Sequence, residues 1–177
     1  MNSRGPDLQK FVAPEIIFGL GALHLAGQYG RNLGGSKALV VSDPGVLAAG
    51  WVQQVLASVG DAGLESTLFT RVTPNPRIEE VAAGAVVYAE QGCDIIITVG
   101  GGSAIDCAKC IGLVAANRAG VLDFVGVDNV GAPMPPTIYI PTTAGTSADV
   151  SQFAAIMDRE INRKLLIISK AVVLDEG

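Results

Sequence analysis

Residues 94–106, Asp94-Ile95-Ile96-Ile97-Thr98-Val99-Gly100-Gly101-Gly102-Ser103-Ala104-Ile105-Asp106, decide the fold. Asp94 to Val99 is β-branched almost throughout and lacks the polar alternation of a strand with one wet face. An unbroken apolar run of strand length belongs in a parallel sheet covered on both sides. The glycines end the run, and Ala104 to about Ala116 then reads as a helix. Strand, glycine turn and helix form the repeating unit of open α/β sheets.

The same rhythm continues in both directions. Upstream, Lys37 to Ser42 is another apolar run of strand length, followed by Asp43-Pro44-Gly45. Val46 to Val59 has apolar residues at helical spacing, Glu65 to Phe69 is a short strand, and Ile78 to Glu90 is a helix after the Pro74-Asn75-Pro76 loop. Nearer the start, residues 14–19 read as an extended segment ending at a glycine, and Gly21 to Leu33 as a helix closed by Gly34-Gly35. Downstream, Pro135 to Ile140 is a buried-type strand, and Ile161 to Ile168 and Ala171 to Leu174 read as strands. Alternating strands and helices predict parallel strands with helical crossovers: an open, mostly parallel, Rossmann-like α/β sheet. With no internal repeat or linker, residues 1–177 read as one domain.

Composition narrows the function. Hydrophobic residues make up 49% and charged residues 16%, which excludes disorder and points to a large apolar interior. No run is long and apolar enough for a membrane helix, and the polar start, with Pro6, is no secretory signal, so a cytoplasmic protein is expected. Net charge is −5 and the basic residues are scattered, which argues against nucleic-acid binding. Cys93, Cys107 and Cys110 are too few for a disulfide framework. Cys107-Ala108-Lys109-Cys110 has CxxC spacing but falls inside the helix after the glycine turn, where it reads as packing. The single histidine, His24, reads as a packed or surface residue.

Open α/β sheets bind ligands beyond the carboxyl ends of their strands. Three such ends carry unusual residues. Gly100, Gly101 and Gly102 let main chain approach a bulky anion, and the following helix offers free N–H groups and its positive dipole end to a phosphate. Ser103 adds a hydroxyl, and Asp106 lies one turn on. The alternative is a tight turn that needs glycine only for backbone geometry. Asp43, ending the Lys37–Ser42 strand, can accept hydrogen bonds from an adenosine ribose, and its charge would repel a 2′-phosphate; helix capping is the competing role, and the two can coexist. Pro141-Thr142-Thr143-Ala144-Gly145-Thr146 puts hydroxyls around a glycine where a ligand is expected.

These blocks resemble the iron-containing alcohol dehydrogenase family, which shares a two-domain fold with glycerol dehydrogenase and dehydroquinate synthase. Phe18-Gly19-Leu20-Gly21-Ala22-Leu23, Val41-Ser42-Asp43, Pro74-Asn75-Pro76, Gly100 to Asp106 and Pro141 to Thr146 keep the family order. Ser147-Ala148-Asp149-Val150 has Asp149 where the family usually has Glu, and Lys164 follows at the family spacing. The resemblance covers roughly residues 14 to 170. It implies an NAD site with Gly101, Gly102 and Ser103 on the pyrophosphate, Asp43 on the adenosine ribose, and Asn75 lining the cleft. Asp106 would lie near the nicotinamide, and Thr142, Thr143, Thr146 and Lys164 would complete the contacts. It also implies an alcohol or aldehyde substrate and a homodimer in which Ile16–Phe18 pairs with its copy.

In that family an Fe²⁺ or Zn²⁺ ion held by an Asp and three His polarises the alcohol oxygen. Those ligands belong to a helical C-terminal domain with no counterpart before Gly177, so no metal ligand and no catalytic residue is expected in this chain. Two other readings stand beside the dehydrogenase: an NAD-binding module without turnover, and a relative of glycerol dehydrogenase or dehydroquinate synthase. The Pro-Thr-Thr-Ala-Gly-Thr loop favours the iron-type branch over the latter.

Overall fold

The structure is a computed structural model describing residues 14–145 and 147–172. Four parallel strands form the main sheet: β1 (Lys37–Val41), β2 (Glu65–Phe69), β3 (Ile95–Gly100) and β5 (Thr137–Pro141), in the order β2-β1-β3-β5. The expected open parallel sheet is present. Helices α1 (Ala26–Asn32), α2 (Pro44–Ala48), α3 (Trp51–Asp61), α4 (Ile78–Glu90) and α5 (Gly102–Asn117) alternate with these strands.

Side-chain alternation along the strands builds two cores. Leu39, Val41 and Ile96 face α4 and α5, whereas Ala38, Val40, Ile95, Ile97 and Val99 face α1 and α3. All eight are completely buried, and burial of a side chain as large as Leu or Ile stabilises by about 1.5–3 kcal/mol. This two-sided burial explains why β1 and β3 have no polar alternation.

Several local expectations are corrected. The helix read over 21–33 is a 3₁₀ turn, Ala22–Leu25, followed by α1. The pattern from Val46 to Val59 is broken at Gly50, whose φ of 85° is left-handed and separates α2 from α3. Periodicity cannot see this break, because Gly50 leaves apolar residues on both sides in phase. Residues 14–18, read as extended, have no regular structure. Residues 170–172 form a 3₁₀ turn rather than the start of a strand, and Val173 and Leu174 lie outside the described residues.

The tail strands do not extend the main sheet. β6 (Phe153–Asp158) and β7 (Arg163–Ile168) form an antiparallel hairpin, and β4 (Gly126–Val127) pairs parallel with β7. This second sheet packs on α5. No helix among the described residues is long and apolar enough to cross a membrane. Cys93, Cys107 and Cys110 are buried free thiols; burial raises the pKa of each.

Gly27 sets the approach of α1 to α3. A Cβ there would lie 2.0 Å from the Ser58 carbonyl oxygen. The Gly27 N–H donates to Ser58 Oγ at 3.0 Å, and that hydroxyl donates to the His24 carbonyl at 2.8 Å. Gly27→Ala gains about 1 kcal/mol of helix propensity but costs about 1–3 kcal/mol in overpacking against backbone. Urea unfolding should show net destabilisation; a variant more stable than wild type contradicts this contact.

Candidate functional site

In the order β2-β1-β3-β5, the chain leaves β1 towards one side and returns, through β3, on the other. The carboxyl ends of β1 and β3 therefore flank a topological switch point, where open α/β sheets leave a crevice. Ser42 lies there, fully buried, its hydroxyl donating to the Val99 carbonyl at 2.7 Å. The next residues on the two strands are Asp43 and the glycine turn.

Asp43 has a double position. Its Oδ1 accepts from the N–H groups of Gly45 (2.9 Å) and Val46 (3.0 Å), capping α2. Its Oδ2 faces the turn, 3.5 Å from where a Gly100 Cβ would stand. Capping thus leaves one carboxylate oxygen directed at the crevice.

The glycine turn is not a matter of backbone torsion. Gly101 has φ −82° and ψ −174°, ordinary extended backbone, and Gly100 and Gly102 are not among the positive-φ glycines. Proximity matters instead: a Cβ at Gly100 would lie 2.6 Å from the Ala104 Cβ, and one at Gly101 would press on Thr143, 3.1 Å from Oγ1 and 3.3 Å from Cγ2. No side chain caps the start of α5, so its first amides remain available to an anion.

The third strand end arrives by pairing. Gly100 is in register with Pro141, and the Thr142 N–H donates to the Gly100 carbonyl at 2.9 Å. Thr142 and Thr143 are exposed beside the turn, while Thr146 lies outside the described residues. Asn75, left-handed at φ 55°, donates its N–H to Ser103 Oγ at 3.2 Å. Glu80 braces this loop, accepting from Thr73 Oγ1 at 2.7 Å and from the Arg77 N–H at 3.2 Å. Contacts thus link Asp43 to the glycine turn, Asn75 to Ser103, and Thr142 and Thr143 to Gly100 and Gly101, at the carboxyl end of the main sheet, with Gly102 opening α5.

Asp106 is half-buried on the first turns of α5. Lys164 is exposed on β7, and its charge reaches Asp106. Burial raises the Asp106 carboxyl to about 6, against the opposing pull of Lys109, the Ala155 amide and Lys164. Its Oδ1 is buried without a hydrogen-bond partner. Lys109 was not singled out as a site residue from sequence, yet it is fully buried beside Asp106. The available signal was a lysine in the apolar stretch Cys107–Leu113, three residues after an aspartate. Among the described residues, no three His, Cys, Asp or Glu side chains come together as a metal-binding group.

A four-stranded parallel sheet, helices on both faces and a crevice at the switch point define a doubly wound α/β domain. The chain belongs to the iron-containing alcohol dehydrogenase family, whose profile matches residues 13–175. It is 40% identical over 167 residues to a choline dehydrogenase of Bacillus subtilis, covering 90% of this chain and 42% of that protein. It is 35% identical over 162 residues to an NAD-dependent methanol dehydrogenase of Bacillus methanolicus, with 92% and 42% covered. The fold matches a solved 1,3-propanediol oxidoreductase with TM-score 0.89 at 35% identity, over 93% of this chain and 44% of that one. It also matches sulfoacetaldehyde reductase from Bifidobacterium kashiwanohense, solved in complex with NAD⁺, with TM-score 0.82 at 28% identity and the same coverage. The chain spans about two fifths of the length of these relatives, 42% in both curated comparisons.

The raised Asp106 carboxyl has a thermodynamic consequence. The folded chain holds this proton more tightly than the unfolded chain, so the contribution to stability is fully present below about pH 4 and is lost as pH rises through about 6. Asp106→Asn removes that dependence. Between pH 4 and pH 7, wild type should lose up to about 3 kcal/mol relative to Asp106→Asn in chemical denaturation. Parallel stability curves for the two proteins refute a carboxyl whose charge is opposed by burial.

Proposed function

We propose that this chain is the cofactor-binding half of an oxidoreductase that transfers hydride between an alcohol and NAD. The convergence of Asp43, Gly101 and Thr143 at the switch point carries this reading. The Asp43 Oδ2 would accept from the adenosine ribose hydroxyls, and the amides at Gly101, Gly102 and Ser103 would meet the pyrophosphate. Asn75 would wall the cleft through its bond to Ser103, with Thr142, Thr143 and Thr146 opposite. Asp106 and Lys164 would face the nicotinamide half. NAD, when bound, supplies the hydride acceptor; this chain's residues bind and orient it. The NAD-dependent methanol dehydrogenase and the NAD⁺-complexed reductase among its relatives support the choice of cofactor.

A divalent metal acting as Lewis acid enters this reading through the family. The described residues bring no ligand set together for it, so no step through a metal is assigned to this chain. An NAD-binding chain without turnover remains a distinct outcome of the same assay. Assembly is part of the proposal: Ile16, Phe18 and Leu20 are exposed apolar side chains, Phe18 98% so, and pairing of this segment with a second copy would bury them.

Calorimetric titration of the folded chain with NAD⁺ and NADH should give saturable binding, and absence of saturation overturns the reading. Added alcohol with Fe²⁺ or Zn²⁺ then separates a working dehydrogenase from a binding module. In Asp43→Gly the cap costs only a few tenths of a kcal/mol, so selectivity is read in a folded protein. Its preference for NAD⁺ over NADP⁺ should fall by at least about tenfold, and unchanged selectivity removes Asp43 from the ribose. For assembly, Phe18→Ser should convert a dimer to a monomer in light scattering; a wild-type monomer at micromolar concentration rejects the pairing.

A further inference from the structure

Glu80 stands on the first turn of α4, its side chain 11% exposed. Its Oε2 accepts from the Arg77 N–H at 3.2 Å, the bond expected of a glutamate at the third position of a helix. Helix capping needs no more than that bond. The carboxylate makes two others, to a residue outside the helix: Thr73 donates its hydroxyl to Oε1 at 2.7 Å and its N–H to Oε2 at 3.3 Å. One side chain therefore closes residues 73–77 into a ring, with Asn75 at its apex. The apex reaches the glycine turn through a single bond, from the Asn75 N–H to Ser103 Oγ at 3.2 Å. A serine hydroxyl has one hydrogen and two lone pairs. With a lone pair taken by Asn75, the hydrogen is left to give, and among the described residues it goes to no group. Ser103 is the second residue of α5, where N–H groups are free for an anion. Asn75 is left-handed at φ 55°, a conformation that costs a residue with a side chain energy unless its surroundings hold it. Opening the ring frees Asn75 to leave that conformation, and Ser103 then loses its donor.

We propose that Glu80 is a positioning residue for the pyrophosphate of the dinucleotide: by tying Thr73 to Arg77 it holds the Asn75 N–H on Ser103 Oγ, and so aims the Ser103 hydroxyl hydrogen at a phosphoryl oxygen. Its action on the ligand is indirect, through Asn75 and Ser103. The proposal rests on the NAD reading above. A glutamate and an anionic ligand can share this corner, because Thr73 and Arg77 supply three hydrogen bonds to the carboxylate and the Arg77 Nε lies 3.8 Å from Oε1.

The test measures NAD⁺ and adenosine affinities of the chain carrying Glu80→Gln, Ser103→Ala or both. Glutamine keeps the size of glutamate but has a single acceptor oxygen, so it cannot serve all three donors. NAD⁺ affinity should fall about fivefold in Glu80→Gln, while affinity for adenosine, which has no phosphate, stays within about twofold. Added to Ser103→Ala, Glu80→Gln should cost less than about twofold more, because the hydroxyl it positions is gone. A glutamate that serves only the stability of α4 would weaken both ligands alike, or lower NAD⁺ affinity equally with and without Ser103; either result overturns the proposal. In amide hydrogen exchange, the Asn75 N–H should exchange at least about fivefold faster in Glu80→Gln, and unchanged exchange overturns the proposal whatever the nucleotides do. Folded wild type that binds no NAD⁺ sinks the cofactor reading and this proposal with it, whereas wild-type binding that Glu80→Gln leaves intact sinks the proposal alone. Should Glu80→Gln fail to fold, Thr73→Val removes the hydroxyl bond, keeps the carboxylate and goes through the same measurements.

Discussion

A parallel sheet cannot close its own strand ends. Each strand of the main sheet stops at the same edge of the molecule, leaving main-chain groups there without a ladder partner. At the switch point no crossover covers this edge, because the chain leaves in opposite directions from β1 and β3. The Ser42 hydroxyl on the Val99 carbonyl joins the two strands at their carboxyl ends and ties Asp43 to the glycine turn. Loops, caps and helix starts at the crevice all inherit their positions from that junction.

The second sheet gives this edge its depth. The Met157 N–H donates to the Pro76 carbonyl at 2.8 Å, so β6 holds one end of the Pro-Asn-Pro loop while Glu80 holds the other. Asn75 is thereby presented to Ser103 in a left-handed conformation that asparagine tolerates better than most residues. On its other flank, segment 148–153 meets α5 through Lys109. Both loops facing the glycine turn are thus anchored to one small sheet that contributes no strand to the main one.

The main sheet was legible because its signal is local. Unbroken apolar runs at Lys37–Ser42 and Asp94–Val99 require two covered faces, and the helices between them supply the cover. Asp43, the Gly100–Ser103 turn and Thr142–Thr143 were singled out for the same reason, since each stands at the carboxyl end of a strand of this sheet; Asn75, Asp106 and Lys164 do not, and came from the family resemblance. What escaped depended on distant partners or on a single torsion. Gly50 breaks a helix without disturbing its apolar phase, and Gly27 is demanded by Ser58, 31 residues away. Lys109 resembles a surface lysine until β6 and its preceding loop are folded over it. The glycine turn stands between β3 and α5 as read; none of its three glycines is left-handed, and a Cβ at Gly100 would lie 2.6 Å from the Ala104 Cβ.

The buried thiols carry a further implication. Alkylating reagents and peroxides attack thiolates, and Cys93, Cys107 and Cys110 are enclosed and held towards the protonated form. Such chemistry should therefore be slow at Cys107 and Cys110, which are completely buried, as long as the domain stays closed. Reaction at Cys107 or Cys110 requires α5 to separate from its neighbours, so the rate of thiol labelling acts as an internal clock for opening of the helix on which the crevice is built.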